Sequence, residues 1–442
     1  MSISRRHFLH TTAAAGGSVL AIHRGAHAAG SDILKVGLVG CGSRGAGAAS
    51  NAINADPGVR LVALADVFDD RMDSTRKRLD KMHPDQVDID PARCFVGFDA
   101  YKKLIASGVD VVLLAAPPQF RPLHLAAAIE ANKHVFAEKP VGVDATGVRS
   151  VMATCELAKK KNLCIVSGLC WRYNTVIRET IKRVHDGAIG EIMAVQSNRN
   201  LGFLWQRPRQ PEWTEMEFQM RNWYYFTWLG GDHNVEQQIH GLDKCTWALG
   251  DRAPVKAWAV SGRQVRVDPK WGNIYDHHAV VYEYDDGARM YAFARQQPGC
   301  FNDYSEMLMG TKGRCDLQKG RIEGETNWSY GQGAADLSGF GVRKARKKGA
   351  ARPMHQVEQD ELFAAIRAGK VINNGDYMCR TTLVAILGRT AGYTGQEITW
   401  PEMQASKLDL SPERYAFDAT PPIVPGPDGK YPVAMPGVTK FV

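Results

Sequence analysis

One short run of glycines constrains this chain more than any other feature. Ile33 to Val39 is a short apolar, strand-like stretch, Gly40-Cys41-Gly42-Ser43-Arg44-Gly45 follows at once, and Ala46 to Ile53 continues in helix formers. Strand, glycine turn and helix in that order open a parallel α/β sheet with helices on its faces. In that setting Gly40 permits the tight turn, Gly42 lets a backbone approach a pyrophosphate, and Gly45 lets helix and strand pack closely. The amides of the helix terminus, at Ser43 and Arg44, meet the phosphate charge. Such a glycine pattern is weak evidence alone, but here its context is correct.

The next elements fit the same reading. A second strand, Leu61 to Ala65, ends in Asp66, where a carboxylate accepts hydrogen bonds from the adenosine ribose and meets a 2′-phosphate as a like charge. This favours NAD over NADP. Asp66 could also cap a turn with Asp69 and Asp70, and Arg71 nearby keeps NADP open. A third strand, Asp110 to Ala116, stops at Pro117-Pro118, a helix pattern runs from Leu123 to Ala131, and His134 to Ala137 leads into Glu138-Lys139-Pro140. In open sheets ligands bind beyond the carboxyl ends of the strands. Pro140 stiffens the turn there, so Lys139 is expected as a fixed cation beside the dinucleotide.

Further on, Glu236 and His240 stand four residues apart and would share a helix face. A base and a fixed cation beside a nicotinamide are the equipment for taking hydride from a carbinol carbon. Alone, the pair would read as a surface ion pair. His233, Glu236 and His240 also have ligand-like spacing.

The chain ends set other bounds. Residues 1–28 read as an export signal: Ser4-Arg5-Arg6-His7-Phe8-Leu9 is a twin-arginine pattern, a mildly apolar stretch follows, and Ala26-His27-Ala28 is a cleavage site. That route carries folded cargo, which suits a protein loaded with a cytoplasmic cofactor. The expected location is periplasmic or otherwise exported, with the twin-arginine machinery as a partner. No other apolar run approaches the roughly 20 residues of a membrane span. With 44% hydrophobic and 23% charged residues the composition is that of a globular protein. The net charge of +8 owes part of its excess to Arg343-Lys-Ala-Arg-Lys-Lys348, a run without interleaved aromatics that reads as a solvated loop and not as a nucleic-acid patch. Nine cysteines without a C-x-x-C pair, among them Cys164, Cys170 and Cys245 in apolar stretches, read as buried free thiols.

The chain here resembles the Gfo/Idh/MocA oxidoreductases. Ala116-Pro117-Pro118 through His124, Ala127, Ala131, Lys133-His134-Val135 to Glu138-Lys139-Pro140 is similar to that family's long second signature. Gly230-Gly231, Glu236, His240 and Asp243 are similar to its third, with Glu236 in place of the usual aspartate and Pro118 in place of a common asparagine. The resemblance implies a Rossmann domain followed by an α+β domain with a large open, mostly antiparallel sheet. It implies that Pro117, His124, Glu138 and Lys139 lie at the cofactor, that His240 is the general base and that Lys139, with Glu236, orients the reacting hydroxyl. It accounts for His240 without a metal, and none is expected. Arg172 and Tyr173, after the strand Leu163 to Leu169, are expected to line the substrate cleft with Glu236 and Asp243. A homodimer or homotetramer is implied as well.

The expected domains are 33–160 for the dinucleotide, 161–411 for substrate and oligomerisation, and 412–442 as a proline-rich tail laid over its own domain or a neighbour. Trp205, Trp213, Trp223, Tyr224, Tyr225 and Trp228 are candidates for stacking on sugar faces or for plain core packing. The function expected is an NAD(P)-dependent oxidation of a sugar, polyol or glycoside hydroxyl with the cofactor retained. A redox-neutral, NAD-dependent glycoside hydrolase or lyase uses the same residues and stays open, as does a non-catalytic sugar-binding protein on the same fold.

Overall fold

The computed structural model describes residues 32–331 and 352–442. The expected signal segment and the basic run Arg343 to Lys348 lie outside these.

Six parallel strands form the first sheet: β1 Leu34–Val39, β2 Val59–Asp66, β3 Cys94–Val96, β4 Val111–Leu114, β5 His134–Ala137 and β6 Ile165–Ser167, in the order β3-β2-β1-β4-β5-β6. They form strands because Val, Leu, Ile and Ala runs bury both faces of a sheet sandwiched between helices; Val36, Leu38, Leu61, Leu64, Val112, Leu113, Val135 and Phe136 are all buried. Helices Ser43–Ala55, Asp69–Met82, Ala100–Ala106, Arg121–Glu130 and Ala145–Lys160 make the crossovers. The order reverses between β1 and β4, so their carboxyl ends part and leave a crevice, the usual ligand position in such sheets. Gly40 leaves one strand there and Ala115 the other.

The second sheet holds nine strands in the order β14-β13-β12-β11-β7-β10-β9-β8-β15. They are β7 Ile192–Leu201, β8 Lys256–Gly262, β9 His277–Glu283, β10 Arg289–Gln296, β11 Asp303–Gly310, β12 Gly313–Asp316, β13 Arg321–Gly324, β14 Trp328–Ser329 and β15 Ile398–Thr399. Every pairing is antiparallel except β7 with β10. The expected hairpin at Asp285-Asp286-Gly287 is present between β9 and β10. The strand expected from Lys256 to Val267 ends at Gly262, because the amides of Gln264, Val265 and Arg266 turn in to one buried carboxylate, Asp276. Helices Ile239–Ala248 and Gly375–Thr394 cover one face.

The last third of the chain returns to the first sheet. Helix Met354–Arg367 lies on helix Ser43–Ala55, where Gln356 exchanges hydrogen bonds with the Asn51 side chain and backbone at 3.0 and 2.9 Å. Ile165 of β6 donates to Ile372 at 2.8 Å, and the Asn374 side chain accepts from Ser167 N at 2.9 Å. The described residues from Leu34 onward accordingly close into one compact unit. All nine cysteines are free; Cys300 is exposed, Cys94 is half-buried, and the other seven are buried. No helix among the described residues is long and apolar enough to cross a membrane.

Candidate active site

The glycine turn has the stereochemistry that a dinucleotide cradle needs. Gly40 has φ +96, and a Cβ there would lie 2.4 Å from the Ala116 nitrogen. A Cβ on Gly45 would meet the Gly40 carbonyl oxygen at 1.9 Å, whereas one on Gly42 would find nothing within 4 Å. The turn is therefore closed where chain packs on chain and open where a ligand would approach. Helix Ser43–Ala55 begins behind it with neither a side-chain cap nor an acid in its first turn, so its terminal amides offer a site for an anion. The Asp66 side chain accepts from Cys41 N at 2.6 Å and Phe68 N at 2.9 Å, bracing the turn, and burial raises its pKa.

A cleft of about 510 Å³ opens over the turn. Gly40, Gly42, Ser43, Arg44, Gly45, Asp66, Pro117 and His124 line it, which brings eight of the expected cofactor residues together. His124 is buried between Tyr101 and Phe120, with ring centroids 4.3 and 5.7 Å away. Burial, aided by the Arg121 charge, lowers its pKa to about 3. Pro118 opens a short 3₁₀ turn, Pro118–Phe120, which carries Phe120 into the wall.

Glu138 and Lys139 do not line this cleft. Glu138 reaches behind the turn to Arg44, Oε1 to Nε 2.6 Å, and Arg44 also faces Glu358 at 3.6 Å. The Glu138 carboxylate, expected at the cofactor, is engaged by the guanidinium of the turn residue Arg44. Lys139 turns the other way, Nζ donating to both the carbonyl and Oε1 of Glu236 at 2.5 Å. The other oxygen of Glu236 accepts from Gln237 at 2.6 Å, and Gln237 accepts from Arg199 at 2.8 Å.

Glu236 and His240 do not share one regular helix. His233–Glu236 is a single turn, Gln237 and Gln238 break it, and Ile239–Ala248 begins anew. His240 is buried at 6% exposure. Burial first, then the charges of Lys139, Arg199 and Lys244, push its pKa well below the ordinary imidazole range. A neutral imidazole beside a fixed ammonium is the chemical content of this corner.

Other expected substrate residues are engaged elsewhere. Arg172 donates to both oxygens of Asp243 at 2.9 and 3.1 Å and to Asp251 at 2.6 Å, while Thr381 donates to Asp243 at 3.1 Å. Tyr173 is buried, its hydroxyl donating to Asn374 at 3.0 Å. Arg172, Tyr173 and Asp243, expected at the substrate cleft, are packed here on buried partners: a buried guanidinium and a buried carboxylate satisfy each other. The ligand-like trio also regroups. His233 stands with Asp232 and His278, not with Glu236 and His240, and their ligand atoms lie within 4.8 Å of one another. Asp232 already accepts from Asn234 N at 3.1 Å, Tyr275 N at 3.0 Å and the Tyr393 hydroxyl at 2.5 Å.

The aromatic run divides. Trp228, Tyr224 and Tyr225 are core, with Trp228 Nε1 donating to Gln219 at 2.7 Å. Trp205 and Trp223, together with Arg207 and Arg221, line the dinucleotide cleft, a position that no local pattern encodes because it depends on a long loop crossing to the first sheet. The proline-rich tail backs the same wall. Phe417 packs on Phe68 and Phe98 with centroids 5.5 and 5.1 Å away, and Tyr415 packs on Phe120 at 5.2 Å.

Comparison with known proteins places these features. Residues 34–168 match the oxidoreductase family with an NAD-binding Rossmann fold, GFO_IDH_MocA. The chain is similar to inositol 2-dehydrogenase 3 of Saccharopolyspora erythraea, 26% identical over 58% of this chain and 65% of that protein. It is also similar to a glycosyl hydrolase family 109 protein of Shewanella amazonensis, 30% identical over 36% of this chain and 34% of that one. The matches thus span between a third and two thirds of these curated relatives. In fold it resembles scyllo-inositol dehydrogenase from Lactobacillus casei, solved with bound NAD(H) and scyllo-inositol, with TM-score 0.59 and 19% identity over 83% of this chain and 99% of that one. Glycine turn, switch-point cleft and family match coincide over residues 34–168, which match the NAD-binding Rossmann fold of the Gfo/Idh/MocA oxidoreductases.

Proposed function

We propose that this chain is an exported oxidoreductase that acts on a hydroxyl of a sugar, polyol or glycoside and keeps its NAD through turnover. The observation that carries the reading is the pairing of Lys139, fixed by Glu236 at 2.5 Å, with a buried His240 whose imidazole is held neutral. His240 takes the hydroxyl proton, and Lys139 offers its positive charge to the oxygen as it becomes alkoxide-like. General base assistance of this kind contributes about 10² to 10⁴ in rate. NAD, when bound, supplies the hydride acceptor. The turn fits it: Gly42 leaves open space beside uncapped amides. Glu236 acts on Lys139 and not by proton transfer of its own.

Export through the twin-arginine route would deliver the cofactor already seated, which supports its retention. A homo-oligomer is supported by the face of the second sheet that the described residues leave open, where Trp258, Val260 and Phe293 are exposed. The test is to denature the mature protein from its own compartment and look for released NAD by mass spectrometry. Protein that arrives cofactor-free defeats retention. Incubation with sugars and polyols should then leave a lasting absorbance of reduced nicotinamide until an acceptor is added.

A second reading is favoured by the likeness to the family 109 glycosyl hydrolase. The same base and cation would serve a redox-neutral cleavage of a glycoside, in which the sugar carbon is oxidised and restored within one cycle. Free aglycone without lasting nicotinamide reduction would identify it.

A further inference from the structure

We propose that Arg207 and Arg71 form a phosphoryl seat over the outer wall of the dinucleotide cleft, one cation from each side, so that the loop from the second sheet grips the nucleotide along with the glycine turn. The proposal rests on the NAD reading of the cleft and extends it to residues outside 34–168.

Arg207 and Arg71 both line the cleft, and among the described residues neither makes an ion pair with a carboxylate within 4.0 Å, although the charges of Asp70 and Asp66 lie near. Their neighbour Arg221, which also lines it, is engaged by Asp70 at 3.2 Å and Glu217 at 2.8 Å and stacks over Phe68 at 4.0 Å. The Arg207 Nε is buried and makes no hydrogen bond. Partial burial first, then the charges of Arg71 and Arg221, lower the Arg207 pKa, with the charge of Asp70 opposing them.

The position of Arg207 is built, not incidental. Fully buried Asn222 clamps its backbone in both directions, accepting from Arg207 N at 2.8 Å and donating to Arg207 O at 3.1 Å. Trp205 and Trp223 flank it on the same wall. A pinned backbone carrying an unpaired guanidinium into a cleft that takes a dinucleotide matches the planar, forked donor that phosphate oxygens select. The oxygens could belong to the diphosphate or to a 2′-phosphate.

The experiment measures displacement of labelled NAD from the full mature chain by NAD, ADP, NADP and adenosine, in wild type, Arg207→Met, Arg71→Met and Gly42→Ala. Arg207→Met should weaken NAD and ADP about tenfold or more while leaving adenosine unchanged, which places the seat at the diphosphate. A loss confined to NADP places it at the 2′-phosphate. Unchanged affinities, or an equal loss for adenosine, overturn the seat. Arg71→Met should repeat the pattern, with circular dichroism establishing that both variants fold. Gly42→Ala separates the two readings: if it loses NAD and Arg207→Met weakens neither NAD nor NADP, only the seat fails. If neither variant affects NAD, the cofactor reading of the cleft fails with it.

Discussion

At the residue scale, the proposed chemistry depends on His240 staying neutral and Lys139 staying placed. The His240 pKa is depressed, so its base form persists below the ordinary imidazole value of about 6.5. The acid limb of kcat/KM should therefore fall below about pH 6.5, and a limb at or above it would remove His240 as the base. His240→Asn should lower kcat by about 10² to 10⁴ with bound NAD unchanged, as mass spectrometry of the denatured variant would show. Lys139→Met carries a second cost, because it strands the Glu236 carboxylate, 9% exposed in its side chain, with its main partner gone. Breaking such a pair costs about 3 to 5 kcal/mol. Adding Glu236→Gln should restore much of the lost Tm without restoring activity. If activity returns as well, Lys139 serves stability alone.

At the element scale, two glycines of one turn should fail differently. Gly42 has φ −76 and free space for a Cβ, so Gly42→Ala should leave Tm close to wild type while blocking the approach of the nucleotide. Gly45→Ala drives a methyl to within 1.9 Å of the Gly40 carbonyl oxygen. Overpacking of that kind costs about 1 to 3 kcal/mol or more, so Tm should fall along with binding. Equal effects on Tm would contradict this division. The glycine spacing made the turn legible in the sequence, and Asp66 was legible because strand ends have fixed neighbours. The break at Gln237 and Gln238 was not legible, since the residue types continue a helix pattern through it, while in the fold the Glu236 carbonyl accepts from Lys139.

At the scale of the whole molecule, buried histidines set the response to acid. The His124 pKa is lowered to about 3 and that of His233 to about 4, both by burial first. The unfolded chain takes up those protons near pH 6.5 and the folded chain only far below, so their stability is full above about 6.5 and is lost as pH falls toward the folded values. The urea midpoint should drop between about pH 7 and 4.5, and replacing His233 by a neutral residue should flatten the drop. The open face of the second sheet adds an outcome in solution. Trp258 stands opposite Val281, which faces Tyr291, and Val260 opposite Ala279, which faces Phe293, giving rows of apolar side chains across β8, β9 and β10. Light scattering should find a dimer or larger species, and Val260→Glu with Phe293→Glu should dissociate it.

What the sequence determined by itself was local: strand, glycine turn and helix, the acid ending β2, the stiff turn at Lys139-Pro140, and the apolar runs that demand a buried parallel sheet. These are legible because backbone conformation and burial periodicity act over a few residues. The tertiary structure alone decided which ionised groups meet. It gave Arg172 and Asp243 to each other, sent Glu138 behind the turn to Arg44, grouped His233 with Asp232 and His278, and brought Trp205, Arg207 and the tail to the dinucleotide cleft. The physical reason is that a buried charge or polar group must find its partner wherever folding brings one, and most of those partners lie tens to hundreds of residues away along the chain.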